Sequence, residues 1–287
     1  MSTENSNQPI SLFKFRAGND NDLDALHQDY IWFPSCASLN DPFEGMAFID
    51  SSNIDSRLYQ KFRDKFNEKC KETSGRHRCD DHLDDKEFVH QWFKAYVEAW
   101  RQKTAIFSAS KAYSVAGYRL TPEHVLGSMA LWGHYADGLR GYCIEYNFEQ
   151  LEKSLKDHNP ERGIGSSGVE YSNTLRPILS LKTYIEDYVS GDRINTVTEI
   201  QKTFTTKHKS TWHHEQEARL FAAGKDGKCE FDSSCIRAVY LGEKMSDEKK
   251  RSIKACLDAK PVKIDLCEVS IDKLGREYQL RIGNYSG

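Results

Sequence analysis

The feature that most constrains the fold is the irregular interleaving of short strand-like runs with longer amphipathic stretches. Ser11-Leu12-Phe13-Lys14-Phe15-Arg16 alternates apolar and basic residues, a first strand. Tyr30-Ile31-Trp32-Phe33 is an aromatic second strand. Further strands fall on residues 104–109, 142–146, 168–171, 238–242 and 262–269. Helical spacing marks residues 21–28, 56–72, 85–103, 125–136 and 247–257, with one or two helices within 180–209. The order is mixed and no repeat occurs, which predicts an α+β fold. We expect a disordered N-terminus over 1–10, then a single domain over 11–287 with a helical insertion near 55–103.

The 287 residues are long enough for a real core, and a net charge of −3 marks neither a basic nor an acidic tail. Met1 to Pro9 is polar and lacks the charged and apolar regions of a signal peptide. No apolar run approaches the ~20 residues that span a bilayer. The expected location is the cytoplasm, without membrane association. Eight cysteines occur without a CxxC pair, so reduced packing thiols are expected. Cys70, His77, Cys79 and His82 match no common zinc-finger spacing.

The segment from Thr211 to Phe221 carries the strongest chemical signal. On a strand, Glu215, Glu217 and Arg219 line one face, neighbouring carboxylates roughly 6–7 Å apart along the backbone. The bland reading is a solvent-facing strand. Against it, Glu is depleted in strands and like charges on one face repel unless Arg219 or a ligand compensates. His213 and His214 precede the pair, but a strand turns them to opposite faces, which makes a poor metal site. Lys14 and Arg16 read either as the wet face of an edge strand or as cations for a diphosphate. Asn40-Asp41-Pro42-Phe43-Glu44 is a turn signal. Trp132 to Gly141 reads as a packed helix ending at a glycine cap. Gly163 to Gly168 lacks the phosphate-loop pattern and reads as a flexible turn.

These segments, in this order, resemble a bacterial family known only as a domain of unknown function. The matching pieces are Leu12-Phe13-Lys14-Phe15-Arg16, Asn40 to Glu44, Leu131 to Gly141, Trp212 to Arg219 and Tyr240-Leu241-Gly242. More distantly, the opening layout and the late Glu-x-Glu resemble ADP-ribosyltransferase toxins of the DarT kind. Where that group carries His-x-Thr, this chain has Lys14-Phe15-Arg16.

The distant resemblance implies an ADP-ribosyltransferase-like split β-sandwich with inserted and flanking helices. It implies NAD as substrate and transfer to nucleic acid, RNA favoured, in a phage-defence or toxin–antitoxin setting with a neutralising antitoxin or chaperone. Glu217 and Glu215 would be catalytic. Lys14 or Arg16 would hold the diphosphate, and Tyr30, Phe33 or Tyr135 would stack on nicotinamide. Asn40, Asp41 and Arg219 would complete the NAD site. The alternatives are a Mg²⁺-dependent nuclease using Glu215, Glu217 and Asp41, and a non-catalytic binding module.

Overall fold

The structure is a computed structural model that describes residues 11–74, 82–115, 118–173 and 177–285. The N-terminal decapeptide, His77, Cys79 and the basic triplet Arg76-His77-Arg78 lie outside the described residues. The elements in chain order are β1 (Ser11–Arg16), α1 (Asp20–His27), β2 (Tyr30–Phe33), β3 (Phe48–Asp50), α2 (Ser56–Ser74), α3 (Asp85–Gln102), β4 (Thr104–Val115) and β5 (Tyr118–Leu120). They continue with α4 (Pro122–Leu126), α5 (Met129–Tyr135), β6 (Tyr142–Asn147), α6 (Phe148–His158), β7 (Gly165–Gly168), β8 (Glu170–Ser172), β9 (Ile178–Ser180), α7 (Leu181–Ser190) and α8 (Ile194–Thr203). The last are β10 (Thr206–His208), α9 (Lys209–Trp212), β11 (Glu217–Ala223), β12 (Gly227–Glu230), β13 (Ile236–Gly242), α10 (Asp247–Asp258), β14 (Asp265–Ile271) and β15 (Leu280–Asn284). The fold is α+β. No helix among the described residues is long and apolar enough to cross a membrane.

Contacts divide the chain into two compact units. The first comprises residues 1–34, 105–169 and 210–287, and the second 35–104 and 170–209. The first unit is built on a mixed sheet of order β15-β14-β13-β6-β1-β4-β11-β7, with β5 paired to β4. β1 is not an edge strand. It pairs antiparallel with β6 through Phe13↔Glu145 and with β4 through Phe13↔Ser110.

Strand alternation gives this sheet two buried faces. Leu12, Phe107, Ala109, Ile144, Leu220 and Val239 share one core with Leu26 of α1, Leu151 of α6 and Ile253 of α10. Phe13, Phe15, Ala112, Cys143 and Tyr240 share the other with Val125 and Leu126 of α4 and Leu131 and Trp132 of α5. Helix starts are capped by side chains. Asn19 and Asp22 form a capping box at α1, and Ser246 caps α10. The expected single helix over 125–136 is two helices. It breaks at Gly127, whose added Cβ would stand 2.9 Å from the Glu123 carbonyl, and restarts at the Ser128 cap.

The second unit gathers α2, α3, α7 and α8 around aromatic rings. Phe62 packs against Phe88, Tyr184 and Tyr188 at centroid distances of 6.5, 5.5 and 4.3 Å. Asp187, at the end of α7, accepts from the Thr196 amide at 2.7 Å and hydroxyl at 2.8 Å, which fixes α8. Two short parallel ladders, β3 with β9 and β8 with β10, complete it.

Candidate active site

Glu215 is not on the strand. Residues His213–Glu215 form a 3-10 turn, and Gln216 adopts a left-handed conformation, φ 45° and ψ 51°. The expected alternation of Glu215 and Glu217 along one strand is therefore wrong. The Gln216 side-chain amide holds the kink by donating to the His213 carbonyl at 2.7 Å. The Gln216 carbonyl accepts from the Lys111 amide at 3.0 Å. β11 begins only at Glu217.

From there alternation applies. Ala218, Leu220 and Ala222 point into the Leu12 core, so Glu217 and Arg219 point to the Phe13 face. Arg219 donates from Nε to Glu217 Oε2 at 2.9 Å, and its Nη2 lies 2.9 Å from the same oxygen. Glu215, Glu217 and Arg219 retain only 2%, 6% and 1% exposure. Burying a carboxylate without a partner is costly, and the ion pair offsets part of that cost on this strand.

Tyr135 meets Glu215 from the opposite element, its hydroxyl donating to Glu215 Oε1. α5 is fixed over β1 by Trp132. That ring stacks edge-on against Phe15 at 5.1 Å, and its Nε1 donates to the Leu126 carbonyl at 2.7 Å. Directly after Tyr135 and Ala136, Asp137, Gly138 and Leu139 have φ of 47°, 60° and 72°. Two of these are not glycine, so backbone strain is concentrated beside Tyr135. His134 and His214 are exposed at the same place, their rings 6.1 Å apart. Among the described residues no group of three or more His, Cys, Asp or Glu is arranged to hold a metal.

Lys14 and Arg16 alternate with Phe13 and Phe15, share the face of Leu12, and so stand on the other face of the sheet from Glu217 and Arg219. Lys14 donates to the Ser108 carbonyl at 2.6 Å and lies 4.9 Å from the Phe107 ring centroid. By accessible surface it is half-buried, yet protein atoms enclose its ammonium densely. That burial, helped by Arg16, lowers its pKa to about 7, against the opposing pull of Glu217, Asp22 and Glu215. Arg16 pairs with Asp22 at 3.5 Å. The expected joint grip of these cations and the glutamates on one ligand is thus divided by the sheet.

Tyr30 and Phe33 are core residues rather than a stacking platform. Tyr30 donates to Asp24 at 2.9 Å, and Phe33 packs 5.9 Å from Phe107 with no exposure. Asn40 and Asp41 belong to the second unit. Asn40 is exposed, while buried Asp41 accepts from the Phe43 amide at 2.9 Å in a local turn.

Sequence reasoning missed a second polar cluster on the Phe13 face. Glu145 accepts from Ser11 at 2.7 Å and from Tyr240 at 2.7 Å, with Arg237 at 3.8 Å. Burial and the Glu145 bond push the Tyr240 phenol well above its ordinary pKa. The signal was one charged residue within the apolar run Tyr142 to Tyr146. The described cysteines are unbridged thiols.

Residues 131–220 match the model of a family described as a protein of unknown function (DUF2971). This similarity spans less than half of the chain. It starts on α5, which carries Tyr135, and ends on β11, which carries Glu217 and Arg219. No curated protein and no solved structure matches.

Proposed function

We propose that this chain is an NAD-dependent ADP-ribosyltransferase whose chemistry is carried on the Phe13 face of the large sheet. The observation that carries the reading is the pairing of two buried carboxylates there, Glu217 with Arg219 and Glu215 with Tyr135. A fold gains little from burying charged groups that apolar residues of similar volume replace without loss. Such groups are expected where chemistry uses them.

Cleavage of the nicotinamide–ribose bond develops an oxocarbenium-like cation, as in glycoside hydrolysis. A fixed anion beside it lowers the barrier most when it needs no reorganisation. In this reading Glu217 is that anion, held by Arg219. Glu215 takes the proton of the acceptor group, with Tyr135 orienting its carboxylate. The bond from ribose C1′ to nicotinamide breaks with its electron pair leaving on nicotinamide. The acceptor atom then bonds to C1′ and loses its proton to Glu215. Lys14 and Arg16 are assigned no contact with NAD, because they stand on the other face. The finer fold assignment, a split β-sandwich of ADP-ribosyltransferase type, belongs to this proposal. Its support is a large mixed sheet covered on both faces, with the key carboxylate on a late strand.

The proposal extends to a nucleic-acid acceptor, RNA favoured, and to a toxin role in the cytoplasm that requires a neutralising protein. Exposed Lys202, His208 and Lys209 in the second unit are suited to a phosphate backbone. Incubation of the full chain with NAD labelled in the ADP-ribose, against separate RNA, DNA and protein pools, tests it. Label is expected on RNA, unaffected by chelator. Cleavage of nucleic acid that requires Mg²⁺ and consumes no NAD would instead identify a nuclease.

A further inference from the structure

We propose that the second unit carries a pocket for a small anionic amphiphile, an aliphatic chain ending in a carboxylate or phosphate. The pocket is a cavity of ≈ 360 Å³ built by the Asn40–Gly45 loop and its continuation, one face of α3 and one residue of β9. That volume lies in the range of sites for small organic molecules, roughly 300–1,000 Å³.

The loop is rigid at its turn. Gly45 has φ +66°, and a Cβ there would stand 2.8 Å from Cys36 Sγ and 3.0 Å from the Phe204 ring. Only glycine suits both the conformation and the space. The turn delivers Met46, Ala47 and Ile49 as one wall. Ile49 is paired with Leu179 in the β3–β9 ladder, and the two close the apolar floor. The opposite wall is Lys94, Val97, Glu98 and Arg101. Their spacing of i, i+3, i+4 and i+7 places them on one face of a helix.

The polar groups of this cavity are unevenly distributed. Two cations face one anion, and Glu98 is engaged by Arg101 Nη1 at 3.2 Å. Arg101 Nε is buried and has no hydrogen-bond acceptor among the described residues. A buried donor without an acceptor is rare and costly, so the Arg101 guanidinium is incompletely satisfied, and its exposed part, 30% of the side chain, is what an anionic head can engage. Apolar walls exclude a bare phosphate as the whole ligand, since they gain nothing from it. A chain in the apolar part with its head at Arg101 and Lys94 satisfies both halves of the site.

Calorimetric titration of the full chain tests the pocket with four probes: octanoate, octyl phosphate, 1-octanol and inorganic phosphate. Saturable one-site binding is expected for octanoate or octyl phosphate, the better of the two identifying the head. Octanol and inorganic phosphate are expected to bind at least about tenfold more weakly, the size of one lost charge-assisted bond. Val97→Trp fills the cavity and should abolish binding. Arg101→Gln should weaken the anionic probes about tenfold and leave octanol unchanged. Exposed Lys94→Ala weakens the anions in a variant whose fold is not at risk. Equal affinity for octanol and octanoate overturns the proposal. So does anion binding that survives Arg101→Gln and Lys94→Ala, or no saturable binding of either anionic amphiphile.

Discussion

Arg219 is the residue on which the candidate site depends. It neutralises Glu217 at 2.9 Å in a strand where both are buried. Arg219→Met removes the charge partner of a buried carboxylate and should cost about 3–5 kcal/mol in denaturant unfolding. Replacing both partners, Glu217→Met with Arg219→Met, should recover much of that loss, because both charges of the pair are removed together. Tyr135→Phe removes a donor to Glu215 and should cost roughly 1–3 kcal/mol, with a matching loss of the proposed transferase activity. Lys14 links the other face to pH. Its folded pKa of about 7 lies below its ordinary 10.5. Between these values the unfolded chain holds the proton and the folded chain does not. Its contribution to stability therefore rises with pH across that window. Below about pH 7 both states are protonated and the burial penalty is full. Unfolding midpoints measured from pH 7 to 10 should climb less steeply in Lys14→Met than in the parent chain.

At the scale of elements, the strands and helices with strong local patterns were legible. β1, β2 and α10 fall where alternation and helical spacing placed them. What depended on distant partners was not. Gly163 to Gly168 reads as a flexible turn, yet residues Gly165–Gly168 form an edge strand, because β11 supplies the ladder through Arg219↔Ser167. β12 and β15 have little local signal and exist through β2 and β14. Glu215 left the strand because one left-handed residue, Gln216, intervenes, which side-chain spacing does not reveal. The connection from α5 to β6 shows how tightly Tyr135 is positioned. A Cβ on Gly141 would stand 2.0 Å from the Arg16 carbonyl and 3.0 Å from Ala136. Gly141→Ala should therefore cost about 1–3 kcal/mol or more in thermal or denaturant melts, since backbone must move.

For the whole molecule, composition and element order indicated an α+β chain. They did not reveal its division into two units, because each unit joins segments far apart in sequence. The same holds for the site. Glu217 and Arg219 were legible as a same-face pair, and Tyr135 as an aromatic nearby in function. That Lys14 and Arg16 face away follows only from the sheet order, which sets which strand's even residues share a core. The proposed chemistry depends above all on Glu217 as the anion that a ribosyl cation requires. The most direct test is nicotinamide release from NAD by the full chain in chelator, with its acceptor present, compared with Glu217→Gln at equal thermal stability. The prediction is release by the parent and a loss of about a hundredfold or more in the variant, as for removal of a key electrostatic stabiliser. Release at the parent's rate by a folded Glu217→Gln protein would contradict the account.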